Sequence, residues 1–208
     1  MKIIQCEQYD DRYWEVRRGI PTASEFSSII TPKTAKLSAA ADTYICRLIG
    51  DLFDIEYPRK NDMATAAMRR GTEMEPESRR FYELEKNHEV QQVGFCLTDD
   101  GRFGCSPDAL VNDDGVLELK NPMPSTQVEY LLAGVMPDEH KVQVHGHLIV
   151  TGRKWCDLMC YCPGFPPLLV RQERDDFTHK LAVCLEQFYE KMTDALKKLG
   201  LERPALAA

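Results

Sequence analysis

The spacing of apolar residues changes twice along the chain, from helical to strand-like after Asn87 and back to helical near Asp175. Residues 10–19 read as a helix or turn with Trp14 as the one large apolar anchor. Thr22-Ala23-Ser24-Glu25 has the spacing of a capping box, and a short helix to Ile30, stopped near Pro32, should follow. A second helix covers residues 39–53. A third opens at Asn61-Asp62, carries Ala64, Ala67 and Met68, and runs through Gly71 into residues 73–86, with Gly71 and Pro76 as points where it kinks or divides. In the middle, residues 89–97 contain a strand-like run and Asp99-Asp100-Gly101 is a turn. Residues 102–111 and 115–120 flank a second turn, Asn112-Asp113-Asp114-Gly115, and read as a hairpin. Residues 138–151 stay ambiguous. Val142-Gln143-Val144-His145-Gly146-His147 alternates like a strand, yet the length suits a helix, and periodicity does not separate the two. Residues 154–162 and 168–172 read as strands. Asp175 or Asp176 then caps a long helix with Phe177, Leu181, Cys184 or Leu185, Phe188, Met192, Leu196 and Leu199 at helical spacing. Helices, then a sheet, then helices make a mixed α/β domain, and without repeat or linker a single domain over residues 1–208 is expected.

Composition narrows the class. With 43% hydrophobic and 28% charged residues the chain reads as an ordinary globular protein. No apolar run approaches the roughly 20 residues that span a bilayer. Met1-Lys2-Ile3-Ile4-Gln5 lacks the apolar core of a signal peptide, so a cytoplasmic protein with reduced thiols is expected. None of the 8 cysteines forms a Cys-x-x-Cys pair, and the tightest group, Cys156, Cys160 and Cys162, reads as small hydrophobes in a strand. The net charge of −7 argues mildly against a nucleic-acid partner, but distribution matters more than the sum. Basic residues cluster at Arg17-Arg18, Lys33 with Lys36, Arg69-Arg70, Arg79-Arg80 and Arg153-Lys154, and an acidic exterior around a basic groove is compatible with DNA.

The segment richest in chemistry is Ser106-Pro107-Asp108, nine residues of hairpin, then Glu118-Leu119-Lys120. Alternation along Val116-Leu117-Glu118-Leu119-Lys120 sends Leu117 and Leu119 to one face and Glu118 and Lys120 to the other. Phosphodiester hydrolysis needs an aimed nucleophile and stabilised charge on the phosphate oxygens. Mg²⁺ suits it: a hard cation, held by one or two carboxylates plus phosphate oxygens, that keeps several waters and makes one more acidic. Asp108 and Glu118 are such a pair, the Leu119 carbonyl could be a third oxygen ligand, and Lys120 could orient a water or stabilise developing charge. Glu-x-Lys on a solvated strand face is also commonplace, so spacing alone leaves this reading open.

These residues resemble the signature of the PD-(D/E)xK nuclease superfamily. Trp14-Glu-Val-Arg-Arg-Gly-Ile-Pro-Thr-Ala-Ser-Glu25, Arg70-Gly-Thr-Glu-Met-Glu75, Val142-Gln143-Val144, Val150-Thr151 and Glu190-Lys-Met-x-x-Ala195 are similar, in that order, to motifs of the phage lambda exonuclease-like alkaline exonucleases. The resemblance implies a restriction-endonuclease-like α/β fold, a central mixed sheet flanked by helices. It implies cation ligation by Asp108, Glu118 and the Leu119 carbonyl, a catalytic Lys120, a further acid at Glu75, and Gln143 beside the pocket, which favours a helix for the ambiguous segment. Arg17 and Ser24 would hold the 5′-phosphate of a DNA end, with Arg18 the alternative to Arg17. Lys33 would contact the DNA backbone and Met68 would stand as a wedge between terminal base pairs. Glu75 has a plainer reading as an ion-pair partner of Arg79 four residues on. The implied activity is Mg²⁺-dependent (with Mn²⁺ as substitute) 5′→3′ digestion of double-stranded DNA to 5′-mononucleotides by a homotrimeric ring, working with a single-strand annealing protein in the cytoplasm of a bacterial host. Arg70 stands where lambda-type sequences carry an aromatic. Rival readings are another nuclease of the superfamily, an endonuclease or an iron–sulfur Cas4-like exonuclease, and a DNA-end-binding protein without catalysis.

The hairpin sets a geometric condition. A regular four-residue loop at residues 112–115 pairs Val111 with Val116 and puts Ala109 opposite Glu118, which turns Asp108 to the wrong face. Convergence of Asp108 with Glu118 therefore requires an odd-length connection, a β-bulge, or pairing that begins only after Asp108.

Overall fold

A computed structural model describes residues 1–54 and 66–203, with side chains from residue 69 in the second stretch. The expected helix opening at Asn61-Asp62 and the side chains of Ala64, Ala67 and Met68 lie outside the described residues. In chain order the elements are β1 (Lys2–Ile4), α1 (Asp11–Arg17), a 3₁₀ turn (Ala23–Ser28), β2 (Ile30–Thr31), β3 (Lys36–Leu37), α2 (Ala41–Phe53), α3 (Ala66–Lys86), β4 (Val90–Gln91), β5 (Phe95–Leu97) and β6 (Gly104–Cys105). Then come β7 (Ala109–Val111), β8 (Gly115–Lys120), α4 (Pro124–Ala133), α5 (Asp138–Thr151), β9 (Trp155–Cys160), β10 (Leu168–Glu173) and α6 (Asp176–Lys198).

The expected central mixed sheet is present, in the order β10-β9-β8-β7-β4. Within this sheet β8 and β9 run parallel, joined by the crossover through α4 and α5, and the other described pairs run antiparallel. Alternation along β8 gives the sheet two different faces. Leu117 and Leu119 join Ala109, Val111, Trp155 and Met159 beneath Tyr82 of α3. Val116, with Leu110, Cys156, Leu158 and Cys160, packs towards α5 and α6. The cysteines of β9 are thus buried free thiols inside a hydrophobic layer.

Several local expectations change. The strand expected over residues 89–97 is two strands in two sheets, β4 on the edge of the central sheet and β5 in a small sheet of order β1-β5-β6. Residues 102–111 divide likewise, into β6 and β7. α1 is anchored by buried Tyr13 and Val16, while Trp14 is only half-buried. Thr22 makes no capping bond, and the Glu25 carboxylate reaches forward 2.8 Å to Arg47. The ambiguous segment is the helix α5, whose residues are buried nearly all round. Such a helix has no polar face to show a period. Gly146 lets it approach the 3₁₀ turn, since a Cβ there would stand 2.9 Å from Ala23 Cβ and 2.8 Å from the Phe26 ring. α3 continues through Gly71 and Pro76 without dividing. At α6, Asp175 is the cap and accepts from the Phe177 and Thr178 amides at 2.9 and 3.0 Å.

Candidate functional site

The hairpin meets the geometric condition by odd length. Val111 pairs with Gly115, Leu110 with Val116 and Ala109 with Leu117, leaving a three-residue connection with Asn112 at φ +45°. Continuing that register places Asp108 opposite Glu118, on the same face. Regular pairing starts at Ala109, and the Asp108 carboxylate turns to accept from the Leu119 amide at 2.5 Å.

Four side chains close around this point. Glu118 Oε1 lies 2.8 Å from Lys120 Nζ and accepts from Gln143 Nε2 at 2.7 Å. Lys120 also donates to Gln143 Oε1 at 3.1 Å, so Gln143 of α5 bridges the carboxylate and the ammonium. The other Glu118 oxygen is 2.7 Å from His147 Nε2, one helical turn beyond Gln143. Burial alone would raise the Glu118 carboxyl, but the charges and hydrogen bonds of Lys120 and His147 overcome it and hold the group down to about 2. Asp108 moves the opposite way. Burial, then the negative charges of Glu118 and Glu75, push its carboxyl well above the ordinary range. Burial would lower the Lys120 ammonium, but Glu118 reverses this and raises it.

Glu75 stands beside this cluster and its carboxylate pairs with Arg79, as the plainer reading had it. Arg79 in turn donates through Nε to the Asp108 carbonyl at 3.3 Å. Burial raises the Glu75 carboxyl, Arg79 opposes this, and the charge of Glu118 adds to the rise. Pro76 cannot donate to the carbonyl four residues before it. That carbonyl is Thr72's; Asn121, the residue after Lys120, donates to the carbonyl one residue before it, that of Gly71, at 3.1 Å and accepts from Ser78. The end of β8 and the acidic turn of α3 are therefore fastened together.

A second cluster begins two residues before Asp108. Arg17 Nη1 donates to Tyr13 Oη at 2.9 Å and to Ser106 Oγ at 3.1 Å, and Nη2 reaches Thr22 Oγ1 at 3.4 Å. Thr22 Oγ1 lies 3.3 Å from Ser24 Oγ, which is exposed at the start of the 3₁₀ turn. Among the described residues no carboxylate pairs with Arg17; its hydrogen-bond partners are hydroxyls. Arg18 points elsewhere, donating to the Asp51 carbonyl at 2.7 Å and to that of Asp54, at the end of α2. The two neighbours that the sequence left as alternatives thus have different partners. Lys33 is exposed in the β2–β3 turn. Tyr13, Asn121 and His147 are additions to the residues that the sequence pointed to, while Thr22, Ser106 and Arg79 were named there in other roles. Tyr13 and His147 carried a local signal, each a spacing of four, from Arg17 and Gln143 respectively.

Fold and site together define a nuclease fold of the PD-(D/E)xK type. The chain belongs to the YqaJ-like viral recombinase domain family, whose model matches residues 12–154. Among solved structures it is similar to an alkaline exonuclease (LHK-Exo) from Laribacter hongkongensis, at 28% identity and a TM-score of 0.73, covering 92% of this chain and 98% of that one. The same relative in complex with dAMP matches equally well. A phage related exonuclease from Haemophilus somnus, at 12% identity and TM-score 0.57 over 85% of this chain and 96% of that one, shares the fold. No curated protein sequence matches the chain. No described helix is long and apolar enough to cross a membrane.

Proposed function

We propose that the protein is an exodeoxyribonuclease that digests linear double-stranded DNA 5′→3′ from 5′-phosphorylated ends, releasing 5′-mononucleotides. The observation that carries this reading is the adjacency of two side-chain clusters through Ser106-Pro107-Asp108. One is a guanidinium whose described partners are neutral hydroxyls, suited to a terminal phosphate. The other is the buried carboxylate of Glu118 and the half-buried one of Asp108 with a lysine, suited to hydrolysis of the next phosphodiester. The Laribacter relative's complex with dAMP supports a mononucleotide product.

The donor set fits a hard divalent cation. Among the described residues no three His, Cys, Asp or Glu side chains are grouped to hold an ion unaided. Two carboxylates with a backbone oxygen match Mg²⁺, which keeps waters and takes phosphate oxygens as ligands. Asp108, whose charge is opposed by Glu118 and Glu75, is the group such an ion would relieve. Asp108, Glu118 and the Leu119 carbonyl would hold Mg²⁺, or Mn²⁺ in its place, with Glu75 as a further acid. The ion supplies Lewis acidity at the phosphate and acidifies water. Lys120, held by Glu118 and Gln143, orients the attacking water and stabilises charge on the phosphate. Arg17 and Ser24, with Ser106 and Thr22, hold the 5′-phosphate, Lys33 contacts the backbone, and Met68 separates the terminal base pairs. A homotrimeric ring would gather the basic clusters around DNA and leave the acidic surface outside. A strand-annealing protein would take up the single strand that remains.

The reading is tested by digesting linear and closed circular duplexes in Mg²⁺ and in EDTA, with 5′-phosphoryl and 5′-hydroxyl ends compared. Loss of linear DNA only, faster from phosphorylated ends and abolished by EDTA, is expected. Cleavage of the closed circle would show an endonuclease and overturn it.

A further inference from the structure

Tyr9 is more than half exposed, at 54%, and its backbone stands at φ +73°. It is the third residue of a turn closed by the Asp10 amide on the Glu7 carbonyl at 3.2 Å. Positive φ at that place in a turn is normally met by glycine or asparagine, and a bulky side chain there is strained. The turn is fixed on both sides of the tyrosine. Gln8 Nε2 donates to the Val93 and Pro107 carbonyls, each at 3.2 Å, and Asp10 Oδ1 accepts from the Tyr13 amide at 2.6 Å to cap α1. Pro107 precedes Asp108, so Gln8 ties the turn to the hydrolytic pocket. The ring lies 5.5 Å from that of Tyr13, whose hydroxyl receives Arg17, and 6.2 Å from that of Trp14. Tyr9 thus packs on the ring that receives Arg17, in a turn that Gln8 ties to the residue before Asp108, beside the path of a terminal nucleotide with its phosphate at Arg17 and its 3′ linkage at Asp108. Strained side chains persist where function holds them, and here the cost brings the fold no buried contact of matching size.

We propose that Tyr9 is a nucleobase subsite, an aromatic platform on which the base of the 5′-terminal nucleotide stacks. The proposal rests on the reading of the protein as a DNA-end nuclease. Every base presents a π-face, so the platform accepts all four without selecting among them. Burial, Tyr13 and Glu75 raise the Tyr9 hydroxyl, so the phenol stays neutral.

The test is a four-way comparison of binding to 5′-phosphorylated duplex ends, followed by fluorescence anisotropy with Ca²⁺ replacing Mg²⁺. Wild type and Tyr9→Gly are each titrated with a normal end and with one whose terminal nucleotide is abasic; the far end is closed by a hairpin loop. Tyr9→Gly is expected to weaken binding of the normal end roughly 5- to 100-fold. It should bind the abasic end as the wild type does, and it should melt no lower, since glycine relieves the turn. Tyr9→Phe should bind like the wild type. Unchanged binding of the normal end by Tyr9→Gly, or an equal loss on the abasic end, would overturn the subsite while leaving the nuclease reading intact. A wild type that binds no duplex end would overturn both.

Discussion

Replacing His147 by Leu would isolate one contact at the centre of the site. His147 Nε2 lies 2.7 Å from Glu118 Oε2, and the two residues are only 1% and 3% exposed. Leucine keeps apolar bulk on α5 and removes the donor. Glu118 then keeps Lys120 and Gln143 on one oxygen and has an unpaired, buried, anionic oxygen on the other. Hydrogen bonds to charged groups contribute about 1.5–3 kcal/mol, and this burial leaves little room for water to compensate. Urea unfolding in EDTA should show that loss in His147→Leu. His147→Gln, whose amide can donate to the same oxygen, should recover much of it. Acid unfolding gives a second signature. Folding lowers the Glu118 carboxyl from 4.5 to about 2, because Lys120 and His147 outweigh burial. A carboxyl lowered on folding contributes stability that is fully present above its unfolded value and is lost as pH falls towards its folded one. The wild type should therefore lose more stability than His147→Leu between those two values. Equal stability of the Leu, Gln and wild-type proteins, with superimposed acid profiles, would refute the reasoning.

Arg17→Ala should cost about 1.5–3 kcal/mol of discrimination between 5′-phosphoryl and 5′-hydroxyl ends, read as the ratio of their cleavage rates; an equal loss on both would assign Arg17 to general DNA binding. Arg18→Ala should lower the melting temperature and leave that ratio unchanged, because its bonds go to the carbonyls at the end of α2. Asp108→Asn should abolish cleavage and make the cation-free protein more stable than the wild type at pH 7. A carboxyl raised on folding costs the native state stability as pH climbs from its unfolded towards its folded value, and Asn removes that dependence. Lower stability of Asp108→Asn in EDTA across neutral pH would contradict this.

What the sequence made legible follows from how local each signal is. Glu118 and Lys120 share a face because strand alternation fixes it, and Asp108 joins them across one tight hairpin. The choice of an odd connection followed from register and the requirement that two carboxylates meet. The phosphate pocket was half legible. Arg17 and Ser24 lie seven residues apart in one motif. Ser106 reaches them only through tertiary folding, 89 residues from Arg17, whereas Tyr13 lies one turn before Arg17 on α1. Thr22 misled because its capping-box spacing was real, yet its hydroxyl faces Arg17 and Ser24. α5 hid its helical period because both sheet and helices bury it. For α4 the sequence offered only Pro124 at the start and Gly134 at the left-handed end, and with Val128 and Leu132 exposed no apolar stripe facing the core marked it.

The central claim, that the Asp108–Glu118–Lys120 cluster hydrolyses DNA stepwise from a phosphorylated 5′ end, is tested most directly by following a labelled end. A linear duplex carries ³²P as its 5′-phosphate on one strand and a fluorophore at the 3′ end of the same strand, and Mg²⁺ starts the reaction. The account predicts that ³²P leaves first, as mononucleotide, while the fluorophore stays on a steadily shortening strand, and that Lys120→Ala releases neither. Early release of the fluorophore as a mononucleotide, release of ³²P on internal fragments, or undiminished release by Lys120→Ala would contradict it.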